Sequence, residues 1–239
     1  PYDVVVERLH IEEPEPPAPV TESEKTFEEL LDEHPISIQV NGQWQTFPNA
    51  KAAEEASYEE YKANLRRNAK NFRITDEHLG EGGPKAKFQA NIEAIKLLKY
   101  LEETTAQATP EQQEVLSRYV GWGGLSDAFD PEKPAWALEY AQLKELLTPE
   151  EYAAARSSTL NAHYTSPTVI QAIYEAVGRM GFETGNILEP SMGVGNFFGM
   201  LPEEMRNSRL YGVELDPVSG RIAKQLYPKA DITVGGFET

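Results

Sequence analysis

The sequence predicts an α/β chain whose last third is doubly wound, running helix, strand, helix, strand, helix, strand from Ser166 to Val234. Three observations carry this reading. Short apolar runs at Asn186 to Glu189, Leu210 to Glu214 and Asp231 to Val234 read as strands. Helix starts of the Ser-Pro and Asp-Pro type, Ser166-Pro167 and Asp216-Pro217, stand between them. A glycine turn, Gly193-Val194-Gly195, follows the first strand directly, where a chain crossing from strand to helix leaves room for a ligand. Ahead of this lies a mostly helical region with one β-hairpin. The expected divisions are an acidic, Pro-rich linker over 1–25, a mainly helical domain over 26–158 with its hairpin at 36–47, and the α/β part over 159–239.

The chain has 239 residues and no cysteine, which excludes disulfides, a thiol nucleophile and thiolate-held metals and fits a cytoplasmic location. No apolar run approaches the roughly 20 residues that span a bilayer, so no membrane segment is expected. The chain opens at Pro1 rather than methionine, and a longer parent is expected. The net charge of −17 disfavours nucleic acid at first sight, but the charge is uneven. Residues 1–60 hold 15 acidic and 3 basic side chains, whereas residues 61–100 hold 9 basic and 4 acidic. The acidity belongs mainly to the leader.

Within the leader, Glu12-Glu13-Pro14-Glu15-Pro16-Pro17 can bury almost nothing and reads as an extended linker. Tyr2 to Val6 reads as the tail of a strand, and Phe27 to Leu31 as a short helical turn. Ile36 to Val40 and Gln43 to Phe47 alternate apolar and polar residues about Asn41-Gly42, the strongest local signal for a tight hairpin. Residues 50–71 read as a helix whose Lys62, Arg66, Arg67 and Lys70 form a solvated or phosphate-contacting face.

The loop Leu79-Gly80-Glu81-Gly82-Gly83 with Lys85 and Lys87 has no strand before it and no Gly-Lys-Ser/Thr after it, so it is not a Walker loop. It reads as a connector or as a segment that orders on a nucleic-acid backbone. Phe88, Ile92, Ile95, Leu98 and Leu101 then give one clean helical stripe, with Lys96 and Lys99 outside it. Thr109-Pro110-Glu111-Gln112 and Thr148-Pro149-Glu150-Glu151 are capping boxes. The first of these helices is expected to run toward Tyr119, ahead of Gly121-Trp122-Gly123-Gly124. Trp122 reads as a buried anchor, or else as an exposed ring for stacking a base. In the helix after Pro167, Ile173 and Val177 are expected on the buried face.

Glu214 follows Gly193 by 21 residues, at the carboxyl end of the second strand. A carboxylate there can accept the hydroxyls of an adenosine ribose, or cap a loop. A dinucleotide fingerprint would carry a third glycine where Phe198 stands, which counts against NAD. The turn and the acid together suit any adenosine-containing cofactor.

Glu189-Pro190-Ser191-Met192-Gly193-Val194-Gly195-Asn196-Phe197 resembles the first motif of class I S-adenosylmethionine-dependent methyltransferases, especially adenine-N6 DNA methylases. Tyr211-Gly212-Val213-Glu214-Leu215-Asp216 is similar to their second motif, and His163-Tyr164-Thr165-Ser166-Pro167 to the segment before their first strand. Arg118 to Leu125 and Leu160 to Pro167 narrow the resemblance to the methylase region of very large methylase–helicase proteins of conjugative elements and phages, over roughly residues 70–239. The resemblance implies the first half of a Rossmann-like sheet in the strand order 3-2-1. It also implies an S-adenosylmethionine site formed by Tyr164, Thr165, Pro167, Glu189, Pro190, Ser191, Gly193, Gly195, Phe197, Glu214 and Leu215, with the segment at Tyr164 against the methionine end of the cofactor.

DNA is the implied substrate, with Lys62, Arg66, Arg67, Lys85 and Lys87 as candidate contacts. The family's Asn/Asp-Pro-Pro-aromatic motif, which holds the flipped adenine, is absent from this sequence and is expected beyond Thr239. No catalytic residue is therefore assigned, and His163 reads as structural. Gly235-Gly236 replaces an acid often found after the third strand. That replacement supports an alternative, a non-enzymatic methylase-like module that docks DNA or a helicase region. The first strand is left with an unpaired edge, which the helical region or a second copy is expected to cover.

Overall fold

The computed structural model describes residues 34–76, 78–162 and 164–238, with the backbone alone at residues 62 and 65–68. The expected linker, the strand tail at Tyr2 and the turn at Phe27 lie outside the described residues, as do His163 and the side chains of Lys62, Arg66 and Arg67. The chain divides into two compact units, 1–61 and 62–239.

In the first unit, β1 (Ile36–Val40) and β2 (Gln43–Phe47) form the expected antiparallel hairpin, with Ile36 opposite Phe47 and Val40 opposite Gln43. Asn41 and Gly42 both take left-handed angles, φ 52° and 74°, as a two-residue turn between twisted strands requires. The Asn41 N–H donates to Glu60 Oε1 at 2.6 Å, tying the turn to α1 (Ala50–Asn68).

The second unit is built on three parallel strands, β3 (Asn186–Glu189), β4 (Arg209–Glu214) and β5 (Asp231–Val234), adjacent in that order. Ahead of the sheet come α2 (Pro84–Glu103), α3 (Pro110–Ser117), α4 (Ala137–Leu146), α5 (Pro149–Ser158) and α6 (Pro167–Arg179). A single turn, α7 (Asn196–Gly199), leaves β3, and α8 (Pro217–Leu226) joins β4 to β5. One continuous apolar core runs from Phe72 to Ile232 through the helices and the sheet.

Local signals placed these elements. Phe88, Ile92, Ile95, Leu98 and Leu101, spaced along one face of α2, are all buried. Both capping boxes form: Thr109 with Gln112 starts α3, and Thr148 with Glu151 starts α5. α3 stops at Ser117, short of Tyr119. Trp122 is 1% exposed, with Phe88, Tyr119 and Phe129 edge-on to its ring at 5.3–6.3 Å. It is the core anchor and not an exposed stacking ring.

α8 sits between the sheet and the helices, in contact with β4 and β5 on one side and with α2, α3 and α5 on the other. Arg221 of α8 pairs with Glu102 of α2 at 3.2 Å and with Glu151 of α5, whose other oxygen takes Lys99 of α2 at 3.0 Å. Burial pushes the Glu151 carboxyl up, but the Thr148 N–H and the Lys99 and Arg221 charges outweigh it and hold it below its ordinary value. Lys99, expected merely outside the stripe, is thus part of the contact that fixes α2 and α5 to α8.

Two expectations are corrected. The buried residues of α6 are Ile170 and Tyr174, whereas Ile173 is 42% exposed. The apolar arc of α6 is wider than the surface that covers it. Among the described residues no element pairs with the free edge of β3, and Leu188 in that strand remains 52% exposed. Of the two covers expected, the described helical region packs through α8 instead of on this edge, which leaves a second copy.

Candidate functional site

Glu189 ends β3 and lies opposite Gly212 of the parallel β4, so Glu214, two residues on, falls on the same face at the same end of the sheet. The chain turns there from Pro190 to Gly195. The Met192 N–H donates to Val213 O at 3.0 Å, and the Gly195 N–H closes the turn on Met192 O at 2.8 Å. Gly193 and Gly195 take φ 57° and 85°, angles at which a β-carbon is strained.

Glu214 fastens this turn to the next one. Its Oε2 accepts the Gly193 N–H at 2.6 Å and its Oε1 the Asp216 N–H at 2.8 Å. Asp216 in turn caps α8 by accepting the Ser219 N–H at 2.7 Å. The loop-capping role weighed for Glu214 is thus present. A carboxylate offers about four acceptor positions, so capacity remains for ligand hydroxyls. The helix after the turn is four residues long, too short for an appreciable N-terminal dipole. The turn is therefore not an anion-binding helix start.

Tyr164 forms the wall facing the turn. A β-carbon at Gly193 would lie 2.8 Å from its Cε1, and one at Gly121 would lie 2.8 Å from its Cε2, so only glycine fits on either side of the ring. Its hydroxyl reaches Ser219 Oγ at 3.3 Å. Gly121 is itself held by Asn91, fully buried on α2, whose Nδ2 donates to Gly121 O at 2.6 Å and whose Oδ1 accepts the Val120 N–H at 2.9 Å. The Gly-Trp-Gly-Gly segment thus positions the ring that closes the site. On the far side, Tyr174 of α6 donates to Phe197 O at 2.7 Å and braces the chain leaving the glycine turn.

These groups enclose a cavity of about 510 Å³, within the roughly 300–1,000 Å³ of small-molecule sites. Of the residues singled out by sequence, Tyr164, Thr165, Glu189, Ser191, Gly193, Phe197, Glu214 and Leu215 line it. Pro167, Pro190 and Gly195 do not. Pro167 faces an adjoining recess of about 330 Å³, and a β-carbon at Gly195 would meet the Tyr227 ring at 2.5 Å, so that glycine serves packing. Sequence reasoning missed the wall from Ala154, Ser157, Ser158 and Asn161, and also Tyr119, Asp216 and Ser219. Small polar residues at a helix end carry no motif. Their position just before Tyr164 was the available signal.

The electrostatics of the cavity are one-sided. Glu189, Glu214 and Asp216 line it, and no described lining residue is Lys, Arg or His. Burial, with the Glu214 charge added, pushes the Glu189 carboxyl up to about 8, and its Oε2 is buried with no hydrogen-bond partner among the described residues. Burial also raises the Tyr164 and Tyr174 hydroxyls, so both are neutral at ordinary pH.

The described basic candidates, Lys85 and Lys87, lie outside the cavity lining. Lys85 is held by Ala135 O at 2.6 Å, by Glu139 at 2.6 Å and over the Trp136 ring at 3.9 Å, which makes it a fastener for the start of α2. Lys87 lines the adjoining recess together with the Leu79–Glu81 loop.

The protein "Defense against restriction protein B" of Escherichia phage P1 is 26% identical over 159 residues, 66% of this chain and 6% of that protein. The type II methyltransferase M.CvrRI of Paramecium bursaria Chlorella virus XZ-6E is 37% identical over 76 residues, 32% of this chain and 19% of that protein. Part of this chain is similar in sequence to a type II methyltransferase. The chain therefore spans less than a fifth of the length of either relative. No family model matches, and no solved structure matches. Among the described residues no helix is long and apolar enough to cross a membrane.

Proposed function

We propose that the cavity binds S-adenosylmethionine and that the chain serves a DNA adenine-N6 methyltransferase as its cofactor-holding part, in the first half of a Rossmann-like sheet. The observation that carries this is the donor set of the cavity. Three carboxylates and no described basic side chain oppose the pyrophosphate of NAD, and suit a ligand bearing a sulfonium and an ammonium group. The motif resemblance around Glu189 to Phe197 and the partial likeness to a type II methyltransferase point the same way.

In this reading Glu214 takes the ribose hydroxyls on its spare acceptor positions, while the backbone at Gly193 lies close against the ligand. Tyr164 fixes the opposite wall. The bound group would supply the methyl to be transferred, and this chain's residues hold and orient it. The sequence has no Asn-Pro-Pro or Asp-Pro-Pro run, so methyl transfer by these residues alone is not expected. Adenine in DNA is the proposed substrate of the larger protein.

Equilibrium dialysis of labelled S-adenosylmethionine against Glu214→Ala tests the assignment. The variant loses the ribose acceptor and the clasp between the two turns, so affinity should fall about tenfold or more. Unchanged affinity in a variant that still melts cooperatively would remove Glu214 from the site.

A further inference from the structure

Of the two carboxylates at the strand ends, Glu214 has both oxygens on backbone N–H groups, whereas Glu189 keeps one buried oxygen with no partner among the described residues. The two share one face of the sheet and line one cavity. An empty site therefore holds two acids side by side with nothing described to neutralise either. The cheapest state for such a pair is one charge and one proton, and the proton belongs on the acid with the unpartnered oxygen. A cation entering the cavity reverses that preference, because it interacts favourably with a second carboxylate charge.

Given that the cavity holds S-adenosylmethionine, we propose that Glu189 reads the charge on the ligand's sulfur and so makes the site discriminate the sulfonium cofactor from its thioether product. With the sulfonium bound, the Glu189 O–H bond breaks, the proton passes to solvent and the carboxylate stays opposite the cation. With S-adenosylhomocysteine bound, the sulfur is neutral, the ammonium common to both ligands lies away from Glu189, and Glu189 keeps its proton. Loss of the methyl group removes the cation, Glu189 takes one proton back from solvent, and the ligand's hold weakens as it becomes product; release of the product then needs no further proton.

The other titratable groups facing Glu189 do not supply this response. Glu214 on β4 has both its oxygens on N–H donors. Asp216 beyond it is engaged by Ser219. Tyr164, Tyr174 on α6 and Tyr227 after α8 are all held neutral by burial. Since burial and Glu214 place the Glu189 carboxyl near 8, its release of a proton falls in an accessible window. His163 lies outside the described residues and is carried as a His163→Gln control.

Titration calorimetry of the 239-residue chain between pH 6 and 9, in buffers of different ionisation enthalpy, tests this. S-adenosylmethionine should bind more tightly as pH rises toward 8, by up to about tenfold per unit, with a proton released, and level off above. S-adenosylhomocysteine should bind about tenfold more weakly at pH 8 with little pH response. In Glu189→Gln both the pH response of S-adenosylmethionine and the gap between the two ligands should shrink to about twofold or less. His163→Gln should behave as the parent chain. Equal pH response and equal affinity for the two ligands in the parent chain would overturn the proposal while leaving the cofactor site standing. A pH response that survives in Glu189→Gln, or vanishes in His163→Gln, would overturn it too. Failure of both ligands to bind at any pH would remove the cofactor site itself. The proton count in the parent chain needs no variant, so misfolding of Glu189→Gln cannot rescue the idea.

Discussion

Glu189 shows at the scale of one residue how a site can hold a group that folding alone would not favour. A carboxyl raised to about 8 binds a proton in the folded chain across a pH range where the unfolded chain has lost it. Its contribution therefore lowers stability as pH rises from the ordinary carboxylate range through 8. The expected result is that Glu189→Gln melts above the parent chain at pH 8.5, by about 1–3 kcal/mol in unfolding free energy, and that the gap closes near pH 5. Urea unfolding at both pH values checks it. Gly121 makes a second test at this scale. Gly121 and Gly124 both take left-handed angles, φ 66° and 73°, but a β-carbon at Gly124 meets nothing within 4 Å whereas one at Gly121 meets the Tyr164 ring. Gly124→Ala should cost about 1 kcal/mol of backbone strain and leave ligand binding alone. Gly121→Ala should cost more and lower ligand affinity as well, because the displaced ring is the cavity wall. Equal effects of the two on binding would contradict the role given to Tyr164.

At the scale of elements, the fold was legible wherever the deciding interaction is local. Both capping boxes, the Asn-Gly hairpin and the cap at Asp216 lie within a few residues of the chain they order, so sequence placed them closely. The strand bounds of β3 and β5 followed from short apolar runs ended by turn residues. Ile173 was misplaced because periodicity shows which side of α6 is apolar, not how much of that side another element covers. The cavity divides the same way. Residues in the two motif turns were legible, while the wall from Ala154 to Asn161 reaches the site only because α5 is fixed to α8. Lys99, Glu102, Glu151 and Arg221 fix it, and none of their long-range pairings leaves a sequence signal. Glu151→Gln keeps the capping geometry but removes the charge between two cations, and should lower stability by about 2–3 kcal/mol in urea unfolding at pH 7. Because the Glu151 carboxyl is held below its ordinary value, that difference should fade as pH drops through the carboxylate range.

At the scale of the whole molecule, the second unit has a single core but an open side. Leu188 on the free edge strand and Val169, Ile173 and Met180 on and just after α6 are all more than 40% exposed. A strand edge left unpaired among the described residues invites pairing with another chain. Leu188→Lys should reduce concentration-dependent association in sedimentation while changing stability by less than about 0.5 kcal/mol. Association that is unaffected would place the contact elsewhere. The other whole-molecule property is charge. The net of −17 says little about the ligand, since the excess lies mainly in residues 1–60, while the local balance inside the cavity says a good deal.

The proposed site selects a cationic, adenosine-containing ligand. Titrating the 239-residue chain at pH 8 with S-adenosylmethionine and, separately, with NAD addresses this selection most directly. Saturable binding of S-adenosylmethionine at a single site, with no heat of binding from NAD, is the expected result. Binding of NAD with no response to S-adenosylmethionine would contradict it.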